Sequence, residues 1–400
     1  MTEAHASGAQ ASAAQALERR IGCVDHGRPG PTLLATGGIH GNEPAGVRAL
    51  RRVVDDLRRR ELPMRGRFVA LAGNLQALAR RQRFLVRDLN RGWSREALDA
   101  LAEKDPHELG PEDVEQRELL AQFEEVDRTA TGPILFVDLH TSSAEGSPFL
   151  CLADTIDNRR LGFATGVPII LGIEETIEGA SLEWFAERGI AGFAVEGGQH
   201  DSEAAVDNLE AVLWLLLVRL GMVLPEAVDT EGYRARLRAA VGGAPAIVEI
   251  VHRQVIAAQD RFRMEPGFVN FARVEKGRLL ATDRRGEVRA QLAGHVMLPL
   301  YQQQGDDGYF LARRVWPFWL WLARWLRALR VGAVLPLLPG VRRDPDEPDT
   351  LLANPRVARL FVVEIFHLLG FRKRRVRADG TLAFRRRRSR RDNRRLGRAR

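Results

Sequence analysis

Thr32-Leu33-Leu34-Ala35-Thr36-Gly37-Gly38-Ile39-His40-Gly41-Asn42-Glu43-Pro44 decides the fold. An apolar run of strand length breaks at two glycines, presents a histidine and a glutamate three residues apart, and meets a proline. Proline is tolerated in a first helical turn, and Val47, Leu50, Val53, Val54 and Leu57 then recur at helical spacing. A strand, a sharp glycine-permitted turn and an amphipathic helix form half of a βαβ unit. Ile134-Leu135-Phe136-Val137-Asp138-Leu139-His140 repeats the strand-then-histidine pattern a hundred residues on.

Further strand-length runs at 67–72, 168–173 and 190–195 alternate with amphipathic stretches. This predicts an α/β fold with a mixed, mostly parallel sheet flanked by helices. Residues 203–224 read as a buried helix, too short and interrupted to span a membrane. In open α/β sheets reactive groups collect at the carboxyl ends of strands, where the two histidine motifs lie.

The chain has 400 residues, 45% hydrophobic and 28% charged, which excludes a disordered or fibrous protein. Cys23 and Cys151 are its only cysteines and stand in no metal or redox spacing, which fits a reducing cytosol. The first residues, rich in Ala and Ser, lack an apolar secretory segment, so 1–29 is expected as a flexible tail. Of 60 basic side chains, 15 fall in residues 371–400 beside only Asp379 and Asp392. The rest of the chain is therefore mildly acidic, and a polyanion partner would belong to the C-terminal tail.

Residues 30–235 are expected as the catalytic α/β domain. Between 240 and 315 short β-rich runs such as Ile247–Val251 and His295–Leu300 are separated by turn signals, predicting a small β-rich domain. Residues 316–370 are expected as a helical extension, with Trp316, Trp319, Trp321 and Trp325 interleaved with Arg324, Arg327 and Arg330. Asp344–Asp349 reads as an acidic linker, Val357–Leu369 as a second helix, and 371–400 as an Arg-rich tail.

His40, Glu43 and His140 supply two imidazoles and a carboxylate, a ligand set for catalytic zinc with one position left for water. Asp138, two residues before His140 on the same strand face, reads either as a hydrogen-bond acceptor for a ligating imidazole or as a loop cap through Thr141 or Ser142. Glu196, ending the run Ala194-Val195 before Gly197-Gly198, reads as a desolvated general base or as an ordinary solvated strand end. Arg83 and the Asp88-Leu89-Asn90-Arg91 segment offer directional donors. Asn90 and Arg91 suit a substrate carboxylate and Arg83 a scissile carbonyl, against the alternative of a solvated arginine face.

In this order the four motifs resemble the succinylglutamate desuccinylase/aspartoacylase family, zinc amidohydrolases related to zinc carboxypeptidases. The resemblance spans about 30–315. It implies a carboxypeptidase-like domain followed by a smaller β-rich domain that narrows the entrance. It also implies one Zn2+ per chain on His40, Glu43 and His140, with Glu196 as general base, Arg83 as oxyanion partner, and Asn90 and Arg91 as substrate residues. Arg188 and Tyr309 are carried over as further substrate residues near the regions where the family places an arginine and tyrosines.

The implied activity is deacylation of an N-acyl amino acid or related small carboxylate by Glu-assisted attack of zinc-bound water. A metallocarboxypeptidase acting on peptides or cell-wall fragments is the close alternative. The tryptophans and arginines suggest a different class: contact with an anionic membrane at the cytoplasmic inner face, or with nucleic acid. Packing of that segment on the body or on a partner subunit in an oligomer is the competing reading.

Overall fold

The computed structural model describes residues 17–386 except 330, 348, 355–356, 358–365 and 378. Eight strands run through the first two thirds of the chain: β1 (Arg20–Asp25), β2 (Thr32–Gly37), β3 (Arg67–Ala72), β4 (Ile134–Ser142), β5 (Phe149–Leu152), β6 (Ile169–Leu171), β7 (Ala191–Gln199) and β8 (Ile247–Val255). Six shorter or later ones follow: β9 (Arg263–Met264), β10 (Ala272–Val274), β11 (Leu279–Asp283), β12 (Gly286–Arg289), β13 (Gly294–Met297) and β14 (Asp307–Arg314).

One eleven-stranded sheet has the order β1-β3-β2-β4-β7-β5-β6-β8-β14-β13-β10. Its centre, β3-β2-β4-β7, is parallel, with Thr36 opposite Asp138 and His140 opposite Glu196. The end of β2 and the ends of β4 and β7 thus lie side by side. This places the sequence-distant motifs together at the carboxyl ends of the central strands.

Alternation along β2 explains the layers. Leu33 and Ala35 face one core with Leu50, Val53 and Leu57 of the helix Ala45–Arg59 and Leu209 and Leu213 of the helix Glu203–Arg219. Leu34 faces the opposite core with Phe123, Phe136 and Phe185. There Phe136 and Phe185 stack with centroids 3.8 Å apart. Full burial of each such ring contributes about 1.5–3 kcal/mol. Tyr309, Leu280 and Val296 form a smaller core within the β-rich region.

Several expectations differ from the fold. Residues 20–25, expected within a flexible tail, form β1, because Cys23 and Val24 pair with Val69 and Phe68 at the sheet edge. Residues 1–16 lie outside the described residues. The C-terminal part is not purely helical: after the helix Pro317–Ala328 it continues into β15 (Val341–Arg343), β16 (Thr350–Ala353), β17 (Phe371–Val376) and β18 (Leu382–Arg386).

These four strands form an antiparallel sheet ordered β15-β16-β18-β17. The acidic segment 344–349 is therefore the connection between two paired strands, with Asp344 buried and ion-paired to Arg377, rather than an extended linker. Part of the expected arginine tail is β17 and β18, while 387–400 and most of the second expected helix lie outside the described residues.

Buried Asp154 fixes this part to the α/β body. It is ion-paired to Arg159 and accepts from Arg327 Nη2 at 2.9 Å and from Arg372 Nε at 3.1 Å. Burial would raise its pKa, and the three guanidinium charges instead hold it well below the usual carboxylate range.

Candidate metal centre

The turn after β2 is forced by close backbone approach. Gly38 has φ +74°, and a Cβ on Gly41 would sit 2.1 Å from the backbone of Ala77. Gly41 N–H donates to Arg83 O, which ties this turn to the loop carrying Arg83 and Asp88. That loop is held by buried Glu112, whose carboxylate accepts the backbone N–H of Leu85 and Val86 at 2.7 and 3.2 Å. Glu112 lies in the first turn of the helix Pro111–Thr129, so the helix end fixes the loop.

His40, Glu43 and His140 are buried, and their ligand-type atoms lie within 4.8 Å of one another. His40 Nδ1 is 2.9 Å from Glu43 Oε1, and His140 Nδ1 is 3.2 Å from Glu43 Oε2. The remaining ring nitrogens face carboxylates: His40 Nε2 is 3.1 Å from Asp88 Oδ1, and His140 Nε2 is 3.1 Å from Asp138 Oδ2. Both imidazoles therefore turn the same nitrogen toward Glu43 and anchor the other. Asp138 is positioned in turn by hydroxyl donation from Thr36 and Ser181.

This donor set fits a borderline-soft divalent ion. Two nitrogens and a carboxylate converge on one point, and each imidazole has the carboxylate partner that usually orients a metal-ligating histidine. The charges agree. Burial opposes ionisation of Glu43, yet the His40 charge and hydrogen bonds from both imidazoles hold its carboxyl well below the ordinary range. Asp88 is held down likewise by His40 and Arg83 against the effect of its burial.

Glu196, on the strand beside His140, has its Oε2 buried without a hydrogen-bond partner. Desolvation pushes its pKa up to about 7, with Glu43 also raising it. Arg83 Nη2 donates to Asp88 Oδ2 at 3.0 Å, and Nη1 lies 3.5 Å from Glu43 Oε1. Glu196, Arg83, Asn90 and Arg91 line the same cavity as His40, Glu43 and His140. Arg91 is shared with Asp307 at 3.5 Å and Asp88 at 3.9 Å, while Asn90 Oδ1 accepts Ser181 N–H at 2.8 Å.

Arg188 and Tyr309 are not brought to this cavity. Arg188 follows the helix Ser181–Glu187 and stacks 3.7 Å from the Trp184 ring centroid, whereas Leu182, Glu183 and Ala186 line the cavity. On β14 neighbouring residues face opposite ways: Phe310 lines the cavity, so Tyr309 enters the small core of the β-rich region. Asp88, Glu112 and His200 are contributors that sequence reasoning did not single out. Asp88 stood within the quoted motif, whereas nothing local marks Glu112.

His200 bridges the two sides of the cavity rim. Its Nδ1 is 2.7 Å from Thr141 Oγ1 and its Nε2 is 3.0 Å from Gln302 Oε1, which also accepts from Asn42 Nδ2 at 2.8 Å. Leu298 and Leu300, from the segment between β13 and β14, and Asp307, the first residue of β14, complete the wall.

A parallel-centred sheet with a His-Glu-His cluster at its strand ends defines an α/β protein with a candidate single-metal centre. Residues 29–199 match the model of the Succinylglutamate desuccinylase/Aspartoacylase catalytic domain. Over these residues, somewhat under half of its length, the chain is similar to the succinylglutamate desuccinylase/aspartoacylase family.

It is 44% identical over 62 residues to a succinylglutamate desuccinylase of Pseudomonas fluorescens strain Pf-5, a match covering 16% of this chain and 18% of that relative. With the succinylglutamate desuccinylase of Pseudomonas paraeruginosa it shares 28% identity over 288 residues, 66% of this chain and 77% of the relative. The fold is similar to the crystal structure of succinylglutamatedesuccinylase/aspartoacylase from Rhodobacter sphaeroides. There the TM-score is 0.54 at 19% identity, covering 72% of this chain and 86% of that one.

Proposed function

We propose that this chain hydrolyses the amide bond of a small N-acylated, carboxylate-bearing compound, an N-acyl amino acid, at a zinc site formed by His40, Glu43 and His140. The observation that carries this reading is the meeting of three ligand-type side chains beside a carboxylate oxygen with no partner. The names of the relatives, succinylglutamate desuccinylases, support the substrate class.

Zinc, when bound, supplies Lewis acidity toward the oxygens it meets. The remaining chemistry belongs to the side chains. Glu196 Oε2 accepts a proton from the attacking water and returns it to the leaving amine nitrogen. A desolvated carboxyl with a pKa near neutrality suits both directions of transfer. Arg83 is buried and fixed by Asp88, so its guanidinium is oriented in advance to stabilise negative charge developing on the amide oxygen. Arg91 and Asn90 bind the substrate carboxylate, and Ile173, Leu298 and Phe310 exclude bulk water from the apolar wall.

Metal analysis after zinc-replete expression, combined with a hydrolysis screen of N-succinyl, N-acetyl and longer N-acyl amino acids beside dipeptides, tests the reading. Wild-type protein is expected to hold one zinc per chain and cleave an N-acyl amino acid, and His140→Ala to lose both properties. Zinc-free wild-type protein, or a preference for dipeptides, would overturn it.

A further inference from the structure

The helix Pro317–Ala328 turns small and aliphatic residues with one buried arginine inward and leaves its large aromatic rings outward. Its inward side carries Leu320, Ala323 and Arg327, the last ion-paired to Asp154 and donating from Nε to Leu368 O at 2.9 Å. Phe318, Trp321 and Trp325 recur three and four residues apart on the opposite side, with Leu329 continuing the stripe. The four tryptophans of this segment, Trp316, Trp319, Trp321 and Trp325, are each between 51% and 61% exposed. Trp321 and Trp325 rings lie 6.3 Å apart, Phe318 and Trp321 6.0 Å, and Phe318 and Trp319 5.5 Å. Exposed Val334, Leu337 and Leu338 follow in the adjoining segment.

Exposed apolar area of this kind on a protein otherwise well packed marks a surface that meets something. The charge pattern says what. No Asp or Glu occurs from 308 to 343, while seven arginines do. Exposed Arg314 lies over the Trp316 ring at 4.7 Å, and Arg324 is exposed on the helix itself.

A second copy docked through a two-fold axis would press these arginines against their own equivalents, which disfavours self-association. Aromatic side chains at the level of lipid headgroups with arginines beside them suit an anionic bilayer surface. Among the described residues no helix is long and apolar enough to cross a membrane, so the helix would lie on the surface. We propose that residues 316–329 form a docking face for an anionic lipid surface.

Sedimentation of the full chain with vesicles tests this, using phosphatidylcholine alone and phosphatidylcholine mixed with phosphatidylglycerol, with tryptophan emission read in parallel. Trp93, Trp184 and Trp214 are fully buried, so an emission shift reports on the other four of the seven tryptophans. The protein is expected to pellet with the anionic vesicles, with blue-shifted emission and weaker binding at high salt.

The double substitution Trp321→Ser, Trp325→Ser removes only exposed rings. It should keep the thermal midpoint and lower the partition coefficient about tenfold or more. The proposal would be overturned by no pelleting with either vesicle, by undiminished binding of the double variant, or by a concentration-dependent dimer of the wild type that the double variant loses. An acidic protein that displaces the vesicles' role, binding the tryptophan face while vesicles do not, would overturn it equally.

Discussion

His140 Nε2 lies 3.1 Å from Oδ2 of Asp138, two residues earlier on the same strand. A strand repeats its facing every second residue, so the backbone alone brings the pair together. The remaining freedom of the ring is removed by Glu43 at Nδ1. On the function proposed above, Asp138 would act through His140 rather than touch the substrate. Asp138→Asn is expected to lower zinc affinity about 10–100-fold. Chelator competition measures this, and an unchanged affinity would show that the pair is only structural.

Glu196→Gln keeps the shape of the side chain and removes its ability to carry a proton. It should retain zinc stoichiometry and thermal midpoint while kcat falls by about 10²–10⁴. Full activity in this variant, measured on whichever substrate the screen identifies, would remove Glu196 from the reaction.

Arg188→Ala separates the structure from the family-based expectation. The side chain stacks on Trp184 outside the cavity lining, so kcat and KM should stay at wild-type values. Loss of the stacking contact costs about 0.5–1 kcal/mol of stability. A large rise in KM would place Arg188 at the substrate after all.

Part of the acid sensitivity should originate at the C-terminal junction. Asp154 is held well below the ordinary carboxylate range, and Glu249 is lowered to about 2 by a hydrogen bond from His367 and the Arg372 charge, against the effect of burial. Both pKa values are depressed on folding. Their stabilisation is therefore complete above the unfolded value of about 4 and lost as pH falls toward the folded one. Denaturant midpoints should be flat from neutrality to about pH 5 and then decline, on the same linkage grounds. Asp154→Asn, which leaves three arginines short of an anion, is expected to cost about 3–5 kcal/mol at pH 7 and to flatten the acid limb. An equal loss at pH 7 and pH 3 would contradict this assignment.

The central strands and the metal cluster were legible because their signals are local. Apolar runs, glycines and histidines mark the ends of β2 and β4, and the parallel register does the rest. The C-terminal sheet was not legible. Phe371-Arg372-Lys373-Arg374-Arg375-Val376 has the composition of a solvated tail, and what buries Arg372 is Asp154, more than two hundred positions away. Tyr309 failed for a subtler reason: proximity along the chain was right, but the next residue, Phe310, has the facing that reaches the cavity. The aromatic and basic content of the tryptophan segment is plain in the sequence, yet only its docking through Arg327 reveals which side remains outward.

The join between the α/β body and the β-rich region runs through hydrogen-bonded sheet, since β6 pairs with β8 and β8 with β14. Shortening the chain after the helix Thr230–Val241 would leave β6 with an open row of amide and carbonyl groups, a template for intermolecular pairing and aggregation. The compositional border near residue 240 is therefore no place to divide the chain, because the ladder runs on to Arg314.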